Sequence, residues 1–430
     1  MIKFSQHGKT FSELDWSQID QRGLEVANRI DSRSGLGNDF LGWLDYSSKL
    51  SLAEIEKIEK TAKRIRDNYE ALVVIGIGGS YLGARAVIEA INGLYPDDKL
   101  EILFMGNTLS GNYASQLLNH LKGKKFAIDV VSKSGTTTEP SVSFRLLKEL
   151  LVKQFGKAYL KDAVIATTDK SKGALRTEAT AEGYETFVIP DDIGGRYSVI
   201  TPVGLLPIAC AGISIRDFLK GVVAGEKEYS VKDYKKNPAY LYGATRYLMN
   251  TQKHYATEMF VSYEPQDRML EEWLKQLIDE SEGKDNKGLL CTSAIFTTDL
   301  HSLGQFIQQG SPVLFETVVK EKEANGDAVV PADKDNLDNL NYLAGRKLSD
   351  INDVAYQATL TAHTNGHTPV EVVEIEKMTP YYLGNLMYFF FRATAFDAYL
   401  LDINPFNQPG VEIYKKNMFE LLGKPGYEKK

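Results

Sequence analysis

The chain has 430 residues, too many for one compact core, so two or three domains sharing a large interface are expected. A formal net charge of −7 excludes a broad basic surface for nucleic acid, and any bound anion must be held locally. With 43% hydrophobic residues, 25% charged residues and two cysteines, Cys210 and Cys291, the chain reads as a globular protein of a reducing compartment, without a disulfide framework.

The N-terminal stretch MIKFSQHGKTFSEL lacks an uninterrupted apolar run, so no signal peptide and a cytoplasmic location are expected. From residue 71, short apolar runs alternate with helical patterns. Strands are expected at Ala71 to Ile77, Leu100 to Met105, Phe126 to Val131, Ala163 to Thr167 and Phe187 to Pro190, with helices at Ser80 to Asn92, Ser115 to Lys122 and Ser141 to Val152. This is α/β layering with a mostly parallel sheet. Val199 to Ile215 is apolar but contains Pro202 and Pro207, so it reads as a buried, broken helix and no membrane span is expected.

A second α/β set follows. Helices are expected around Asp217 to Gly225, Pro238 to Asn250, Asp267 to Ser281 and Leu300 to Gln309, with strands at Met259 to Tyr263 and Leu289 to Phe296. Residues 317 to 350, charged and irregular, are expected to form a surface excursion.

Two strand ends open into loops suited to an anion. IGIGGSYLG, from Ile75 to Gly83, has Gly76, Gly78 and Gly79 for a sharp turn and Ser80 at an expected helix N-cap. Position 81 is Tyr where a dinucleotide fingerprint needs Gly, so that reading fails. VVSKSGTTTEP, from Val130 to Pro140, places five hydroxyls around the single charge of Lys133. Both loops point to the carboxyl edge of a doubly wound sheet, and together they suit a terminal phosphate monoester.

Other residues could carry chemistry. In DDIGGRYSVITPVG, Arg196 follows paired glycines, where a permanent cation can steady a developing oxyanion or else pair with Asp191 or Asp192. In DRMLEEWLKQLIDESEGK, Gln276 and Glu280 lie four apart beside an apolar stripe. A carboxylate in that last turn meets the negative helix end, which raises its proton affinity towards that of a general base. His301 follows a strand end beside Asp299 and could pass protons. His363 and His367 share a metal-pair spacing, but Gly366 breaks the helix between them and no acid nearby completes a site, so no metal is expected. Lys415 falls on the stripe of Val411 and Met418 and is expected to point inward, with Glu412 as a possible neutralising partner.

Together these segments resemble the glucose-6-phosphate isomerase family, over roughly residues 40 to 420. DDIGGRYSVITPVG and PFNQPGVEIYKK are similar to its two signature segments, IGIGGSYLG and SKSGTTTEP to its sugar-phosphate loops, and DESEGK to its catalytic glutamate segment. The resemblance implies an α/β fold of two sugar-isomerase (SIS) domains, residues 40–205 and 206–430, each a mostly parallel sheet flanked by helices. Residues 1–39 would pack on them, and the second domain would end in a C-terminal helical arm. It further implies a phosphosugar substrate, no cofactor or metal, no nucleic acid or membrane partner, and a homodimer. By matched motif, Ser132, Lys133, Ser134 and Thr137 would hold the phosphate, Gly79 and Ser80 would line the sugar, and Gln276 and Gln408 would touch substrate. Glu280 would be the base between C2 and C1 and Arg196 the enediolate stabiliser. His301, from the other subunit, and Lys415 would open the ring. Activity on mannose 6-phosphate stays open, because both epimers share the enediolate.

Overall fold

The computed structural model describes residues 2–427. Ten strands run in chain order: β1 (Lys3–His7), β2 (Ala71–Ile75), β3 (Glu101–Met105), β4 (Phe126–Val131), β5 (Val164–Thr168), β6 (Glu185–Val188), β7 (Thr257–Ser262), β8 (Leu290–Ile295), β9 (Leu314–Glu323) and β10 (Val370–Lys377). They form two five-stranded sheets, ordered β3-β2-β4-β5-β6 and β1-β10-β9-β7-β8.

The first sheet is wholly parallel. Every residue of β2, β4 and β5 is buried, as continuous apolar runs covered on both faces require. Ile75 pairs with Met105 on one side and Val130 on the other, so the loops leaving β2 and β4 emerge side by side where the strand order reverses. The second sheet is parallel except for β1, which adds antiparallel to β10 with Lys3 opposite Glu374.

Helix Pro380–Leu400 runs through the largest core cluster, and every residue from Leu383 to Leu400 is buried. Helices Ile215–Glu228, Pro238–Thr251 and Arg268–Glu282 pack around it. Helix Pro202–Cys210 is buried with Pro207 inside it, as its sequence suggests. No helix among the described residues is long and apolar enough to cross a membrane.

Two expectations are corrected. The stretch from residue 317 begins as strand, because Phe315 to Val319 continue β9 between β7 and β10; only residues 324–347 form the excursion. His301 closes a short 3-10 turn, Thr298–His301, and the helix proper is Gly304–Gln309.

Candidate active site

The loop after β4 is organised by its own hydroxyls. The buried Ser132 Oγ accepts the Gly135 N–H at 3.0 Å, and Ser134 Oγ accepts both the N–H and the hydroxyl of Thr136 at 3.1 and 3.0 Å. Gly135 has φ +74, and a Cβ there would stand 2.3 Å from the Leu175 nitrogen, so only glycine fits. Thr137 is the N-cap of helix Thr138–Phe155 without a side-chain cap bond, so its hydroxyl does not close the helix's first N–H groups. Lys133 turns to Asp191 at 2.7 Å, with side chains 43% and 77% exposed, a pair worth ~0–1 kcal/mol.

The loop after β2 is pressed against the turn that carries Arg196. A Cβ on Gly79 would lie 2.1 Å from the Gly195 carbonyl carbon, so glycine permits this approach. Ser80 is not the helix cap: it ends a 3-10 turn, Gly78–Ser80, and Tyr81 precedes helix Leu82–Asn92.

Arg196 is 3% exposed and gathers the other half of the site. Its Nε donates to Ser281 Oγ at 2.8 Å, and Nη1 donates to Glu280 Oε2 at 3.2 Å and Gln408 Oε1 at 3.3 Å. Nη2 donates to the carbonyls of Pro405 and Asn407. Neither Asp191 nor Asp192 is its partner. Burial lowers the arginine's hold on its proton and the nearby Glu280 charge opposes this. The next residue, Tyr197, is stacked on Trp43 at 5.1 Å and wedged against Phe391 and Phe406, which fixes the turn.

Glu280 and Gln276 share one face of helix Arg268–Glu282, whose other face buries Leu270, Trp273, Leu274, Leu277 and Ile278. Gln276 Nε2 donates to Glu280 Oε2 at 3.2 Å, while Gln276 Oε1 is buried without a partner. Both bonds to Glu280 fall on Oε2, and Oε1 is used by neither. A cavity of about 610 Å³ opens here, its wall including Leu82, Gln276, Glu280, Lys284 and Gln408.

The same helix end is tied down by charges that have no local signature. Arg246 donates to Glu258, to Glu282 at 2.7 Å and to Asp397 at 3.2 Å, and all four side chains are buried. Burial raises Glu282 well above the carboxylate range and Asp397 to about 7. Lys284, just past the helix, also lines the cavity and is given no role by the sequence; the available signal is its place beside the last free carbonyls of the helix.

His301 is not brought into this cluster. It stands exposed past the carboxyl end of β8, whereas Asp279, beside Glu280, accepts the Cys291 N–H at the start of that strand. From Cys291 the strand runs on to Ile295, about 13 Å, before the turn that carries His301. The inward orientation of Lys415 is also corrected. Helix Pro409–Leu421 buries no residue, and Lys415 pairs with Glu412 at 2.8 Å. Val411, Lys415, Met418, Phe419 and Glu420 are its more covered positions, but the described residues of this chain offer no core for them, and Ile413, Tyr414, Leu421 and Leu422 are exposed. His363 is buried against Glu316 of β9 at 2.9 Å, an acid remote in sequence.

The family model for phosphoglucose isomerase matches residues 55–425. A glucose-6-phosphate isomerase of Lactobacillus helveticus is 53% identical over 413 residues, covering 95% of this chain and 92% of its own. One from Staphylococcus epidermidis is 50% identical over 433 residues, covering 99% and 97%. The crystal structure of a glucose-6-phosphate isomerase from Chlamydia trachomatis shares the fold with a TM-score of 0.82 at 20% identity, covering 98% of this chain and 88% of its own. The chain belongs to the phosphoglucose isomerase family.

Proposed function

We propose that this chain interconverts glucose 6-phosphate and fructose 6-phosphate, a step of glycolysis and gluconeogenesis, through an opened ring and an enediolate. The observation that carries this reading is the contact set in which buried Arg196 holds Glu280 and Gln408 at the cavity wall. Isomerisation moves a proton between C2 and C1 by way of a negatively charged intermediate. Glu280 takes the C2 proton and loses its charge as the enediolate gains one. Arg196 is already fixed by Ser281 and two backbone carbonyls, so it serves the new anion without moving. Glu280 then returns the proton to C1.

In this reading residues 40–205 carry the phosphate loops, residues 206–430 carry the base, and residues 1–39 pack on them. Ser132, Ser134 and Thr137 hold the phosphate with the helix N–H groups, and Lys133 exchanges its weak partner Asp191 for the dianion. Gly79 and Ser80 line the sugar, and Gln408 and the unpartnered Gln276 Oε1 contact its hydroxyls. His301 and Lys415 pass the proton that opens the ring. The exposed His301 comes from the second subunit of a homodimer, which also covers the apolar side chains of the C-terminal arm. Two buried free thiols suit a cytoplasmic enzyme.

Subunit mixing tests the reading. Glu280→Gln and His301→Ala homodimers should each lose turnover of glucose 6-phosphate in a coupled assay. After co-refolding, about half the dimers are hybrids with one intact site each, so about a quarter of wild-type activity should return. No recovery would place His301 in its own subunit's site. Undiminished turnover by Glu280→Gln homodimers would remove the base assignment.

A further inference from the structure

Two segments meet at the cavity: the end of helix Arg268–Glu282, which carries Glu280, and the loop after helix Pro380–Leu400, which carries Gln408 and the carbonyls that hold Arg196. One ammonium joins them. Lys284 Nζ donates to Ser281 O at 2.8 Å and to Asn404 O at 2.5 Å, and Lys284 forms part of the cavity wall beside Glu280. Ser281 also receives the Arg196 Nε bond through its hydroxyl, so the carbonyl and side chain of one residue connect both cations. Farther out, Lys287 Nζ makes a parallel tie to Leu401 O at 2.7 Å without reaching the cavity.

We propose that Lys284 is a positioning residue for the isomerisation, clamping the turn that bears Glu280 to the loop that bears Gln408 and adding its positive charge to that of Arg196 beside the developing enediolate. The inference rests on the reading of Glu280 as the base. Charged groups acting on the ammonium are Arg196 from the Gly195 turn and Glu280, Glu282 and Asp285 from its own segment; the cavity wall also carries Glu272, Lys275 and Asp279 of the same helix, Asn404 supplies only a carbonyl, and Leu82 and residues 408–411 add no charge. Burial, then the Arg196 charge, lowers Lys284 to about 7 against the pull of the three carboxylates, so the clamp weakens as the site turns alkaline. An anionic intermediate beside it strengthens it again.

The test compares Lys284→Met, Lys284→Arg and Lys287→Met. In Lys284→Met, kcat should fall about 10- to 100-fold, because a misplacement of order 1 Å costs that much, while KM moves by less than about threefold. Lys284→Arg keeps its charge at any assay pH, so it should recover much of kcat and move the alkaline limb of the kcat profile to higher pH. Lys287→Met should leave kcat unchanged. The inference is overturned by a Lys284→Met enzyme within about twofold of wild-type kcat, by a Lys284→Arg limb that coincides with the wild-type limb, or by an equal loss in Lys287→Met. The Lys284→Arg profile decides the question if Lys284→Met does not fold. An inactive Glu280→Gln enzyme beside a fully active Lys284→Met enzyme would remove this inference alone.

Discussion

The hydroxyls of Ser132 and Ser134 bond two or three residues along the chain, the loop backbone is tied to Thr167, Thr168 and Ala174, and the one lysine is held by an exposed pair. Glu280 is held through groups drawn from the whole chain: Arg196 and Gln276 bond it at the cavity, Gln408 bonds Arg196, and Arg246 joins Glu258, Glu282 and Asp397 beneath the same helix end. On the proposed reading the first arrangement makes an anchor whose exposed hydroxyls and lysine can turn to an anion on a fixed backbone. The second makes a rigid seat, because buried side chains joined through one guanidinium have few alternative arrangements. On that reading the anchor needs affinity, whereas Glu280 as the base must be placed to within a fraction of an ångström.

Breaking the rigid side should have the largest consequence. Arg246→Met leaves three buried carboxylates without their cation, and the loss should be about 3–5 kcal/mol, read as a lower urea midpoint. Gly79→Ala forces the β2 loop away from the Arg196 turn, and kcat/KM should fall about 100-fold in a protein that still folds. On the adaptable side, Lys133→Ala should raise KM about tenfold with a smaller change in kcat, since it removes phosphate binding common to ground and transition states.

The smallest effect concerns pH. Burial holds Asp397 at about 7 in the folded chain against an ordinary value of 3.8. Between these values the folded state binds more protons than the unfolded state, so this carboxyl's contribution to stability declines as pH rises through that window. Asp129 and Asp267, also raised by burial to about 7, act in the same direction. Asp397→Asn should therefore flatten the fall of Tm between about pH 4 and about pH 7; an unaltered slope would mean that the proton resides elsewhere.

The contrast also explains what could be read from sequence. The adaptable side is contiguous, so the hydroxyl-rich run and the unbroken apolar strands β2 and β4 declare themselves. On the rigid side, Arg246 and Asp397 lie 151 residues apart, and no local pattern links them. Helix Pro380–Leu400 is apolar all round and so has no stripe to detect, although it is the central packing element. β1, an edge strand with only partial burial, lacks the alternation that marks a half-buried strand. The stripe of Lys415 was legible as a stripe, but no residue of helix Pro409–Leu421 is buried in this chain. Ser80 missed its cap because a 3-10 turn intervenes before the helix.

The most direct measurement is exchange of a C1 hydrogen of fructose 6-phosphate with solvent deuterium in the Glu280→Gln enzyme, followed beside the Kd for the same sugar. Binding within about threefold of the wild type with no exchange above the uncatalysed background is the predicted result. Exchange at the wild-type rate would show that another group abstracts the proton.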